Sequence, residues 1–107
     1  MPEDNRITAL KEILSSNPND AFARYALGLE YSGSGELEAA VAEFRRLLAA
    51  HPDYVNGYFM AAQTLVRAER SDEARSMLKS GIECAQRTGN RHALSEMQGL
   101  LEEIGHG

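Results

Sequence analysis

Pro18 and Pro52 stand 34 residues apart, and the residues that follow each proline correspond in kind. At this offset Asn19 aligns with Asp53, Tyr25 with Phe59, Gly28 with Ala62 and Tyr31 with Leu65. The match continues with Ala40 on Ala74, Phe44 on Leu78 and Leu48 on Ile82. Small side chains meet small ones, and large apolar side chains meet large apolar ones. A period of this length constrains the fold strongly, because one such unit cannot bury its apolar face alone and must stack on its neighbours.

The composition points to helical units. Apolar residues make up 43% of the 107-residue chain, yet it has only four Tyr, three Phe and no Trp, so a core must be assembled from Leu, Ala and a few rings. Together with the high helix propensity of the abundant Ala, Leu, Glu and Arg, this favours packed helices over a β sandwich. The length suits a single domain. Residues 4–16 place Ile7, Leu10, Ile13 and Leu14 on one helical face, and Asn17-Pro18-Asn19 ends that helix. Further helices are expected over about 19–32, 35–49, 53–68, 71–87 and 91–104. Between the second and third, Gly33 or Gly35 is expected to take the left-handed conformation that ends a helix. On the third, Leu37, Ala40, Val41, Phe44, Leu47 and Leu48 form the apolar stripe, with Glu36, Glu43, Arg45 and Arg46 expected to face water.

The pattern Arg24-x2-Leu27-Gly28-x2-Tyr31, followed by Ala40-x3-Phe44 and Pro52, resembles the tetratricopeptide repeat. The resemblance implies an all-α fold: antiparallel helix-turn-helix repeats stacked as a short right-handed α-solenoid of about six helices. In that register residues 4–16 are a half-repeat helix, 21–54 the first repeat, 55–88 the second and 91–104 a capping helix, with Leu94, Met97, Leu101 and Ile104 as its apolar stripe. Arg6 falls where Ala40 and Ala74 stand, and a long charged side chain is tolerable there if no partner helix approaches. Glu69 replaces the turn glycine, so its turn is either strained by about 1 kcal/mol or shaped differently. Gly81, inside an expected helix, weakens it by about 1 kcal/mol unless it permits close packing.

The helix over 19–32 is apolar on two sides. Leu27, Gly28 and Tyr31 carry the repeat motif on one face, while Phe22, Tyr25, Ala26 and Leu29 occupy the other. The resemblance implies that the first helices of the repeats line a concave surface that takes up a partner peptide or helix. Carried over by position, Phe22, Tyr25, Leu29, Phe59, Gln63 and Val66 would line it, with Asn56 and Arg67 at its polar margin. One branch of the family grips chaperone C-termini through Lys and Asn, but Tyr25 and Leu29 stand at those first-repeat positions, which argues against such capture. Two competing expectations are that these residues are ordinary core, or that the same face pairs with a second copy as a homodimer.

Other functions find little support. A formal net charge of −5 disfavours nucleic acid. No apolar run reaches the roughly 20 residues of a membrane span, and the first residues lack the order of a signal peptide, which together suggest a soluble, cytoplasmic protein. The single Cys84 fits a reducing compartment and is expected to be a small buried hydrophobe. His51, His92 and His106 are far apart and lack metal-ligand spacing, and Ser32-Gly33-Ser34-Gly35 is a turn rather than a phosphate loop. No metal, cofactor or catalytic residue is expected, because neither Cys84 nor His92 can be assembled with a base and an orienting group.

Overall fold

The computed structural model describes residues 2–105, so His106 lies outside the described residues. Six helices follow one another: α1 (Pro2–Ser16), α2 (Ala21–Gly33), α3 (Leu37–Ala50), α4 (Val55–Arg67), α5 (Ser71–Thr88) and α6 (Arg91–Ile104), with no strand among the described residues. Three of them start two residues later than expected. After each proline the chain turns before the helix begins: Asp20 is extended and its carboxylate accepts from the Ala23 N–H at 2.9 Å, capping α2. Asp53 and Tyr54 fill the same places before α4, and Glu36 precedes α3.

The period is visible in individual hydrogen bonds. Arg24 Nη2 donates to the Pro18 carbonyl at 2.9 Å, and Tyr58 Oη, one period later, donates to the Pro52 carbonyl at 2.8 Å. The turn after α2 is closed by Glu36 N–H to Tyr31 C=O at 2.9 Å, and that after α4 by Arg70 N–H to Leu65 C=O, also at 2.9 Å. The left-handed residue is Gly35 (φ +82°) in the first turn, while Gly33 belongs to α2. In the second turn it is Glu69 (φ +60°), so this turn takes the strained form rather than another shape.

Packing explains the small residues. Ala40 and Ala74 are fully buried, and a Cβ on Gly28 would stand 2.5 Å from the Phe44 ring. Gly81 permits a close approach on two sides, since a Cβ there would stand 2.5 Å from Met97 Sδ and 2.6 Å from Tyr58 Cβ. Arg6 is exposed and pairs with Glu30 of α2 at 3.0 Å. Glu43 corrects the expectation that it faces water. It is buried, with Arg24 at 2.8 Å and Arg46 at 2.7 Å, because a cation from the neighbouring helix compensates the desolvated carboxylate.

Each helix packs on the next, and in addition α2 touches α4 and α4 touches α6. No Cα of α3 comes within 8 Å of one in α1 or α5. The layer α2, α4, α6 is therefore closed and the layer α1, α3, α5 is splayed, which makes the first layer the concave one. In this arrangement α6 stands against α4 and α5 as α4 stands against α2 and α3.

Candidate functional site

The concave layer is built from helices whose buried stripe leaves a second apolar face. On α2 the buried side chains are Ala23, Leu27 and Ser32, and on α4 they include Ala61, Ala62, Thr64 and Leu65. The opposite faces carry the residues singled out from the sequence, and the structure distributes them unevenly.

Phe22 is 74% exposed, the most exposed large apolar side chain among the described residues. Tyr25 is half-buried, with its ring 5.2 Å from that of Tyr54 and 6.1 Å from that of Phe44. Burial raises its hydroxyl above the ordinary tyrosine range, and the neighbouring Tyr54 adds to the shift. Leu29 packs partly on the cluster of Ala40, Phe44, Leu47 and Ala61. Phe59 lies partly against the cluster that α6 completes with Ala93, Met97 and Leu101. Tyr25, Leu29 and Phe59 thus contribute to the core while keeping some exposed surface.

Gln63, Val66 and Arg67 come together with Ser32, Met60, Thr64 and Leu100 around a cleft of about 330 Å³ where α2, α4 and α6 meet. Arg67 spans it: Nη1 donates to Ser32 Oγ at 2.8 Å and to the Ser32 carbonyl at 3.2 Å. Thr64 is satisfied within α4, its hydroxyl donating to the Met60 carbonyl at 2.7 Å. Asn56 is not part of this cleft; it borders a separate depression with Asp53, Tyr54 and Asn90. Sequence reasoning missed Ser32, Met60, Thr64 and Leu100 as lining residues. Leu100 had a signal, being an apolar residue beside the Leu94, Met97, Leu101, Ile104 stripe. Ser32 had none beyond its turn.

A larger depression, about 520 Å³, opens between α3 and α5 with Leu48, Tyr58 and Met77 at its base and the Arg45–Glu73 pair on its rim. It is the gap left where the outer layer splays, and it holds none of the residues expected in the groove.

The remaining chemistry is structural. Cys84 is buried, its thiol directed at the Pro52 carbonyl at 3.5 Å, and burial pushes its pKa up, away from an activated thiolate. His51 Nε2 lies 2.7 Å from the Asn19 carbonyl and ties two turns together. His92 Nε2 lies 3.5 Å from Glu96 Oε1 of its own helix. Among the described residues no group of three His, Cys, Asp or Glu side chains could hold a metal, and no helix is long and apolar enough to cross a membrane.

Comparison with known proteins follows the same lines. The sequence matches the family model of the tetratricopeptide repeat over residues 31–97. A tetratricopeptide repeat domain protein from Salinibacter ruber is 34% identical, with 82% of this chain and 89% of that chain covered and a TM-score of 0.76. A protein from Bordetella parapertussis is 24% identical over 92% of this chain and 85% of its own, with a TM-score of 0.80. YrrB, described as a TPR protein with an unusual peptide-binding site, is 20% identical over 91% of this chain and 48% of its own, with a TM-score of 0.77, a likeness of fold. No functionally curated protein matches the chain.

Proposed function

The chain belongs to the tetratricopeptide repeat family, and from that premise we propose that it is a non-enzymatic protein-interaction scaffold whose concave face takes up a partner peptide or helix. The observation that carries the proposal is Phe22. Its ring is 74% exposed on the same face of α2 as Tyr25 and Leu29, where an isolated chain gains nothing from an aromatic side chain. Aromatic anchors flanked by polar residues are what protein interfaces concentrate their binding energy in. In this reading Phe22, Tyr25, Leu29, Phe59 and Val66 supply apolar contact, while Gln63, Arg67 and Asn56 supply polar contact at the margin.

A random-peptide library selected on the immobilised protein tests this. Wild-type protein should enrich a recurring apolar pattern, and Phe22→Glu should abolish binding of the enriched peptides. Circular dichroism should be unchanged, because the substituted side chain is exposed. Peptides that bind Phe22→Glu as well as wild type would overturn the assignment. Tyr25→Glu is a poorer probe, since it would place a charge beside Phe44 and Tyr54.

Self-association is the second reading, and Ile13 favours it. It stands one period before Leu47, which is 1% exposed, yet Ile13 itself is 46% exposed. A second copy could cover it.

A further inference from the structure

We infer that the cleft between α2, α4 and α6 selects partner segments carrying an acidic side chain beside a large apolar one, and that Arg67 pairs the carboxylate. The inference rests on the concave face being a partner-binding surface and adds a chemical class to it.

The argument starts from how this acidic chain disposes of its cations. Of its nine arginines, seven pair with a carboxylate, whereas Arg67 and Arg91 have no such pair among the described residues. Arg91 is exposed at the start of α6. Arg67 is exposed as well, but it borders the cleft and is held across the gap between α2 and α4 by its two hydrogen bonds to Ser32. Both acceptors are neutral, and no carboxylate pairs with Arg67 among the described residues. Both bonds also come from Nη1, which leaves the Nε and Nη2 edge without a hydrogen-bond partner among the described residues. That edge is a planar fork suited to a carboxylate, which it binds through two parallel hydrogen bonds. Because Ser32 already fixes the guanidinium, less side-chain entropy is lost when the carboxylate arrives.

The rest of the lining defines the neighbour. Met60, Val66 and Leu100 present apolar surface beside the guanidinium, and the volume of about 330 Å³ is at the small end of ligand pockets. A segment lying over the cleft would therefore place one large apolar side chain in it and one acidic side chain on Arg67. With a single guanidinium and no second cation in the lining, one side-chain carboxylate is the matching charge. The net charge of −5 repels acidic partners at long range, so the pair should act after contact, by slowing dissociation. Phe22 lies ten residues before Ser32 on α2, or about 15 Å along the helix, within reach of the same short segment.

The test uses random dodecapeptides displayed with their C-terminal ends fused, so that no free terminus contributes, and then synthesised with amidated C-termini. Peptides enriched on wild-type protein should share an Asp or Glu within about one helical turn of a Leu, Ile, Met or Phe. Replacing that acid by its amide should weaken binding to wild type about fivefold, but to Arg67→Gln by less than about twofold. Arg67→Lys, which keeps the charge but not the fork, should fall between them, so the inference stays testable even if Arg67→Gln perturbs the fold. Phe22→Glu should remove binding of all the peptides. Enriched peptides without an acidic preference, or an amide effect of equal size on Arg67→Gln, would overturn the carboxylate pairing while leaving the groove intact. If nothing is enriched, or if Phe22→Glu has no effect, the groove reading fails and this inference fails with it.

Discussion

Glu69 holds a backbone conformation that its side chain opposes. At φ +60° its Cβ crowds the local carbonyl, whereas Gly35, one period earlier and at φ +82°, has no Cβ to crowd. The two turns close with the same hydrogen bonds, and the Glu69 side chain is exposed with no ion pair among the described residues to offset the strain. Glu69→Gly should therefore raise stability by about 1 kcal/mol, somewhat reduced by the freedom glycine adds to the unfolded chain. Urea denaturation checks this, and an unchanged midpoint would show that the strain is relieved elsewhere. The alignment with Gly35 marked Glu69 as anomalous, but only the Arg70–Leu65 bond decides that the turn is kept and strained. Glu43 shows the opposite limit. Periodicity within α3 places it on the wet face, and nothing inside that helix reveals that Arg24 reaches it from α2.

At the scale of the helix, the repeat register makes unequal demands on equivalent positions. Ala40 and Ala74 are fully buried where α3 meets α2 and α5 meets α4, so a larger side chain must displace neighbours. Ala40→Leu and Ala74→Leu should each destabilise by about 1 to 3 kcal/mol. Arg6 occupies the same register on α1 but is exposed, with a solvent-screened partner in Glu30, so Arg6→Leu should change stability by less than about 1 kcal/mol. A denaturant series on the three variants checks the register, which equal losses would contradict. Helix positions were legible because apolar stripes and prolines are local signals. The site was legible only in part: Gln63, Val66 and Arg67 share a face of α4 and do meet, but the cleft they border is completed by Ser32 and Leu100 from two other helices. A stripe shows which residues are apolar together, not which helix will cover them, and so the stripe alone does not reveal that Phe59 packs partly against the cluster completed by α6.

For the whole molecule, the question is how much apolar surface the fold leaves uncovered. Contact along α2, α4 and α6 closes the concave layer, and the large apolar side chains left exposed among the described residues are Ile13 and Phe22. Together they offer on the order of 200 to 300 Å², whereas a stable dimer buries roughly 800 Å² from each partner, of which about 450 to 500 Å² is apolar. The half-buried Tyr25 and Leu29 add little, since their rings and methyl groups already rest on Phe44 and its neighbours. The isolated protein should therefore be monomeric, with its concave face available to a partner. Light scattering over a wide concentration range should return the single-chain mass of 11.8 kDa for wild type and for Phe22→Glu alike. A dimer in the wild type that Phe22→Glu converts to a folded monomer would mean that the face pairs with itself. Peptide binding would then have to compete with that pairing, and the affinity of any selected peptide should fall as protein concentration rises. If the mass stays that of one chain throughout, Phe22 is left exposed in solution as it is in the fold, available to a partner as the proposed groove requires.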